Sequence, residues 1–261
     1  MIVFVAALKQ ELAAFGQVVA IDRREQVNGV PLAEGYADGV AVALVQSGIG
    51  RQRASEATRL AIARYRPDMI VSVGYSGGLS PEIRGSDLVL GRRLLAAEPA
   101  SPGGEPQLVG EPIDVEPSLL DTMAIAMEES LLTARSGDFV TVPAIVRGYG
   151  EKDRLRRRSS ALLVDMESYW VALAAREAQV PFVTARVASD EIGDTLPDFT
   201  KFEDPMGGIR PLSAAWYYLT HPHHVLGAGV LAYNARQGAR NLAAFAALFL
   251  TIAFRGAPVR R

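Results

Sequence analysis

Short apolar runs alternate with stretches of helical periodicity along most of this chain. The runs Ile2–Ala7, Val40–Gln46, Asp68–Val73, Asp87–Leu90, Leu162–Val164 and Phe182–Val187 have few polar interruptions, the pattern of strands buried on both faces. Between them, Ala54, Ala57, Ala61 and Tyr65 fall on one helical face of Arg51–Tyr65, while Arg53, Glu56 and Arg59 point away. Leu120, Met123 and Met127 share a face in Pro117–Glu129, and Trp170 and Ala174 continue a helix after Glu167. The alternation predicts a single α/β domain over residues 1–261, with a central mixed, mostly parallel sheet flanked by helices. No repeat and no hydrophilic linker divides it. Two loops, Glu98–Pro112 and Asp194–Pro211, stand out as candidate lids or interfaces.

Residues 212–261 form an apolar helical C-terminal extension in this reading. Its charge-free run Asn241–Phe254 is shorter than the roughly 20 residues a membrane helix needs. It predicts a helix against the core or a second subunit, as in a homodimer. The other reading is peripheral membrane contact, anchored by Arg255, Arg260 and Arg261. A net charge of -2 over 261 residues offers no general field for nucleic acid, so the expected partner is a small molecule. The sequence contains no cysteine, which removes disulfides, thiolate metal sites and a cysteine nucleophile together. The apolar start Met1–Ala7 is too short to span a bilayer, and a cytoplasmic enzyme is the expectation.

Several motifs carry chemistry. Gly74-Tyr75-Ser76-Gly77-Gly78 comes close to the G-x-S-x-G elbow of serine hydrolases, with His221, His223 and His224 later in the chain. No helix follows Ser76 directly, as that elbow requires, so the glycines fit better as a turn approaching a ligand closely. Ser47-Gly48-Ile49-Gly50 lies between a strand and a helix and could cradle an anion or a sugar with backbone N–H groups. A plain strand-to-helix turn explains it equally well. Asp165-Met166-Glu167, Ser189-Asp190 and Glu11 each follow a strand end, where α/β sheets place ligands. His221-Pro222-His223-His224 lacks a helical ligand pair and a nearby carboxylate, so no metal or other cofactor is expected. Arg154–Arg158 reads as a solvated helix face.

Taken together, Glu11, Ser47–Gly50, Gly74–Leu79, Ser136-Gly137-Asp138, Asp165-Met166-Glu167 and Arg186–Asp190 resemble 5′-methylthioadenosine/S-adenosylhomocysteine nucleosidase, of the purine nucleoside phosphorylase superfamily. Order and spacing match from residue 1 to about 195. The resemblance implies cleavage of the N-glycosidic bond of an adenine nucleoside bearing a 5′ substituent, with release of adenine. It implies Asp190 as the acid that protonates purine N7, and Glu11 as the base for the attacking water. Glu167 would accept from the ribose hydroxyls, Met166 would pack on the sugar, and Phe139 or Val140 would flank the base. Ser189, Tyr75, Ser76, Gly77 and Gly50 complete the expected substrate site.

Two departures qualify the resemblance. Tyr75-Ser76 replaces smaller residues before Gly77-Gly78. The tail, with Pro211, Trp216-Tyr217-Tyr218 and Asn234-Ala235-Arg236, resembles hopanoid-associated phosphorylases, which implies a lipid-linked adenosine such as adenosylhopane as the alternative substrate. Phosphate therefore stays open as a co-substrate. A serine esterase using Ser76 and a non-catalytic nucleoside-binding protein are the remaining readings.

Overall fold

A computed structural model describes residues 1–101, 104–196 and 225–256. Its elements, in order, are β1 (Ile2–Ala6), α1 (Lys9–Ala13), a 3-10 turn (Ala14–Gln17), β2 (Ala20–Val27), β3 (Val30–Ala37), β4 (Val40–Gln46), α2 (Arg51–Tyr65), β5 (Met69–Gly78), β6 (Leu88–Pro99) and β7 (Pro106–Asp114). They continue with α3 (Pro117–Glu129), β8 (Ala134–Thr141), α4 (Tyr149–Ser159), β9 (Leu163–Asp165), α5 (Ser168–Glu177), β10 (Phe182–Asp190) and α6 (Val225–Gly256).

All ten strands belong to one sheet, ordered β10-β6-β8-β9-β5-β1-β4-β3-β2, with β7 on β6. A further pairing of β10 with β5 closes β10, β6, β8, β9 and β5 into a ring. Because β1 has apolar neighbours on both sides and both faces, its run Ile2–Ala6 is buried throughout. The sheet is mixed, with five parallel and five antiparallel pairings rather than mostly parallel. Three hairpins on its margins supply three of the antiparallel pairings, and β10–β6 and β5–β9 are the other two. Strands β2, β3 and β4 are joined through Asn28-Gly29 and Asp38-Gly39, all four residues at positive φ. The expected loop Glu98–Pro112 is largely the arms of hairpin β6–β7, in which Glu98 pairs with Gln107.

Helices cover both faces. On one, Ala54, Ala57 and Ala61 of α2 and Tyr169, Trp170 and Val171 of α5 pack in a buried cluster with Val3, Val5 and Ile70. On the other, Met123 and Met127 of α3 join Leu242, Phe245, Ala246, Phe249 and Leu250 of α6 over Phe4, Val71 and Val187. Phe4 stacks between Phe15 and Phe249, at ring-centroid separations of 4.7 and 6.0 Å. Those five residues of α6 are buried, while Tyr233, Arg236, Arg240, Ala244 and Ala247 form its exposed side. The helix is therefore part of the core, not an appendage. Among described residues 233–252 its apolar stripe lies on the sheet, as a helix against the core would place it. No described helix is long and apolar enough to cross one.

Candidate active site

The C-terminal ends of β1, β5, β9 and β10 meet at a cavity of about 820 Å³ when its open mouth is included. It is lined by Glu11, Tyr75, Ser76, Gly77, Asp165, Met166, Glu167, Ser189 and Asp190. The rest of its wall is apolar, with Ile49 on one side and Val142, Ala144, Ile145, Val146 and Leu196 on the other. Parallel β1, β5 and β10 bring their C-terminal ends to the same edge, and β9 meets them there by pairing antiparallel with Gly77-Gly78 of β5.

Glu11 sits in the short helix after β1 and is 3% exposed. Its Oε2 accepts the Leu8 N–H at 2.7 Å and its Oε1 accepts the Tyr75 N–H at 2.7 Å. Burial raises its pKa, against the nearby Arg186 guanidinium and these backbone donors. Glu167 precedes α5, and its Oε1 accepts the Gly50 N–H at 2.8 Å. Burial comes first among the causes that raise it to about 8; the Asp165 and Glu11 charges add, and Arg186 opposes. Asp190 closes β10 and is fully buried, with Oδ1 2.5 Å from Ser189 Oγ and Oδ2 2.5 Å from Lys152 Nζ. Its pKa is raised by burial and held back by Lys152.

Ser189 serves both protonation states of Asp190. Its hydroxyl also lies 3.2 Å from the Ser76 carbonyl, which can only accept. When Asp190 is ionised, Ser189 donates to Oδ1. When Asp190 carries a proton, it can donate to Ser189, which donates onward to Ser76. The proton can come and go without rearranging the site.

Arg186 holds the carboxylates together. It is 1% exposed and donates to Ser168 Oγ, Ser72 Oγ and the Val73 carbonyl at 2.9, 3.1 and 3.0 Å. Its Nε lies 3.1 Å from Asp165 Oδ2. Asp165 also accepts from Thr141 Oγ1 at 2.6 Å and lies over the first N–H of α5, so it anchors the helix start. Gly74 leaves the necessary room, since a Cβ there would lie 2.2 Å from Arg186 Nη1 and 2.4 Å from Glu11 Oε1.

Other expected residues are placed differently. Phe139 and Val140 are 1% and 0% exposed in the core and do not line the cavity. The wall beyond that strand is Val142, because the strand's inward residues are used to pack the sheet. Gly50 does not line the cavity; its N–H is committed to Glu167. Asp138, in the quoted motif, is bound by Arg92 and Arg93 away from the cavity. Gly74–Gly78 is extended strand, not a turn, so Ser76 has no elbow geometry. Ser76 Oγ is buried without a hydrogen-bond partner. His221, His223 and His224 lie outside the described residues, among which no group of acidic residues and histidines could hold a metal. Lys152 escaped the sequence reading because a lone lysine beside an arginine run looks like solvated surface.

The phosphorylase superfamily model matches residues 1–208. The chain belongs to that superfamily. Its reaction class is thereby cleavage of the N-glycosidic bond of a nucleoside. Among solved structures, futalosine hydrolase of Helicobacter pylori superposes with a TM-score of 0.75 at 16% identity, covering 96% of this chain and 97% of that one. The Helicobacter pylori 5′-methylthioadenosine/S-adenosylhomocysteine nucleosidase gives 0.75 at 15% identity, with 97% of each chain covered. The S. pneumoniae nucleosidase of the same name, bound to a transition-state inhibitor, gives 0.74 at 18% identity, covering 97% of this chain and 99% of its own. At these identities the likeness establishes a shared fold.

Proposed function

We propose that this protein hydrolyses the N-glycosidic bond of an adenine nucleoside carrying a 5′ substituent. One observation carries the choice of water over phosphate. The cavity is lined by four carboxyl side chains, Glu11, Asp165, Glu167 and Asp190, and among its described lining residues none is Lys, Arg or His. A phosphate dianion would lose its solvation on entry and find no cationic partner among these described lining residues. Water meets no such barrier, and Glu11, whose pKa burial raises, is suited to take its proton.

The steps balance within these residues. As the bond between sugar C1′ and base N9 lengthens, its electron pair goes to the base, and Asp190 gives its proton to N7. Positive charge grows on the sugar, beside Glu167 and Glu11. Glu167 accepts from the ribose hydroxyls and Met166 packs on the sugar. Water then bonds to C1′ and yields its proton to Glu11. The apolar wall of Val142, Ala144, Ile145, Val146 and Leu196 suits the base and an uncharged 5′ group. That same wall supports a lipid-linked adenosine as the second reading of the substrate.

Release of adenine from 5′-methylthioadenosine, measured with and without added phosphate, tests the reading. Equal rates, with free 5-methylthioribose as the sugar product, are expected. A strict requirement for phosphate, with a sugar 1-phosphate as product, would replace hydrolysis by phosphorolysis.

A further inference from the structure

Lys152 of α4 is fully buried and stands behind the cavity wall without lining it. Its Nζ faces Asp190 Oδ2 at 2.5 Å, the Glu191 carbonyl at 2.5 Å and the Asp194 carbonyl at 3.4 Å. A carboxylate and two carbonyls can all accept the N–H groups of an ammonium, and none is then left for a ligand. A cation so far from water is tolerated only when paired and fully bonded, and Asp190 is its one carboxylate partner in this set.

We propose that Lys152 is a positioning residue for the reaction: it fixes the Asp190 carboxyl at the end of β10 and stabilises the carboxylate left when Asp190 hands its proton to the departing base. The inference rests on the reading of Asp190 as the general acid. While Asp190 is protonated, the contact joins an ammonium to a neutral acid. As the proton leaves, the same contact becomes a charge-assisted bond between opposite charges, shielded from water. An interaction that strengthens along the reaction lowers its barrier, whereas one of constant strength does not. Lys152 thus counteracts burial, which by itself makes Asp190 too reluctant an acid. The other described charged groups nearby are Asp194, whose charge acts with burial, and Glu191, whose carboxylate is turned to Arg84 at 2.9 Å. Neither supplies the positive charge.

The experiment follows adenine release from 5′-methylthioadenosine across pH for wild type, Lys152→Met, Lys152→Gln, Asp190→Asn and the Lys152→Met/Asp190→Asn double variant, with thermal melts to establish folding. Loss of a neighbouring opposite charge should move the alkaline limb of kcat upward by about 1–3 pH units in Lys152→Met. The weaker acid should lower the plateau about 3- to 30-fold, with KM changed less than about 2-fold. Lys152→Gln keeps a donor without the charge and should move the limb the same way. In the Asp190→Asn background, Lys152→Met should add less than about a 2-fold loss, because the acid it serves is gone. If Lys152→Met does not fold, the Gln variant and the double variant, which removes both charges, carry the comparison. A folded Lys152 variant whose limb stays at the wild-type pH, or a double variant that loses as much again, overturns the role of Lys152. Full activity in Asp190→Asn overturns the reading of the acid instead.

Discussion

Replacing Glu167 with glutamine keeps the size of a side chain that is 6% exposed and removes its ability to ionise. Because Oε1 already takes the Gly50 N–H at 2.8 Å, the amide oxygen should keep that bond and turn the NH2 toward the cavity. Ribose hydroxyls then meet a donor where they had an acceptor. Above about pH 8, where this carboxyl is ionised, hydrogen bonds to it are worth about 1.5–3 kcal/mol each, on the order of 10- to 140-fold per bond. A 2′-deoxyriboside lacks one of those hydroxyls and has less to lose. The kcat/KM ratio of a riboside to its 2′-deoxy counterpart should therefore fall by about 10- to 140-fold in Glu167→Gln. Equal losses on both substrates would refute the assignment. The variant also carries a stability signature. Burial raises Glu167 from 4.5 to about 8, so the folded chain binds this proton more tightly than the unfolded chain. Its stabilising contribution is present below about pH 4.5 and is lost as pH rises toward 8. Glutamine has no proton to lose, so the Tm of Glu167→Gln relative to wild type should climb between pH 5 and pH 8. A constant difference across that window would mean the carboxyl is not held in its neutral form.

Removing the proposed acid by Asp190→Asn should slow turnover by about two to four orders of magnitude, while Ser76→Ala, which deletes a hydroxyl without a partner, should cost less than about tenfold. The reverse order would point to serine chemistry. Lengthening a 5′-alkylthio group should tighten binding stepwise if the apolar wall continues outward, since a buried methylene is worth about 0.8 kcal/mol, about fourfold per carbon. An affinity that peaks at methyl or propyl would limit the substrate to small nucleosides.

The strands buried on both faces were legible because each is a near-continuous apolar run, as in Ile2–Ala6 and Val40–Gln46. Strand β2 was not, because it is an edge strand with mostly polar, exposed residues and no continuous apolar run. Its hairpin was still encoded, in Asn28-Gly29 and Asp38-Gly39, pairs suited to the positive φ of two-residue turns. The apolar tail was legible as a helix but left its covering open. A stripe that would suit lipid also suits the face of a sheet, and only Phe4, Phe15 and Val71 across from it decide between them. In the site, position after a strand end was enough to pick out Glu11, Glu167 and Asp190 as neighbours at one cavity. It could not say that Phe139 would turn inward to the core, nor that Lys152 would turn away from solvent. Both depend on which side of an element faces the sheet, and short or charge-rich segments show no clear periodicity.

The stretch Gly74–Gly78 shows how the fold and the chemistry constrain each other. Closing β5 against β10 brings a buried guanidinium and several buried carboxyls together. Mutual repulsion among Glu11, Asp165 and Glu167 would disfavour that arrangement, and Arg186 offsets it from the centre. The guanidinium needs space next to the strand, and Gly74 supplies it by having no Cβ. Gly77 is limited by the neighbouring strand instead, since a Cβ there would lie 3.1 Å from Val164 Cγ1 and in ordinary contact, 3.4 Å, with Asp190 Oδ2. Gly74 is therefore set by the charges it admits, Arg186 and Glu11. Ser76, between them, faces no histidine among the described residues lining the cavity, and a serine without a base is a weak nucleophile. What looks in sequence like the turn of a hydrolase is clearance for a buried cation and a buried acid.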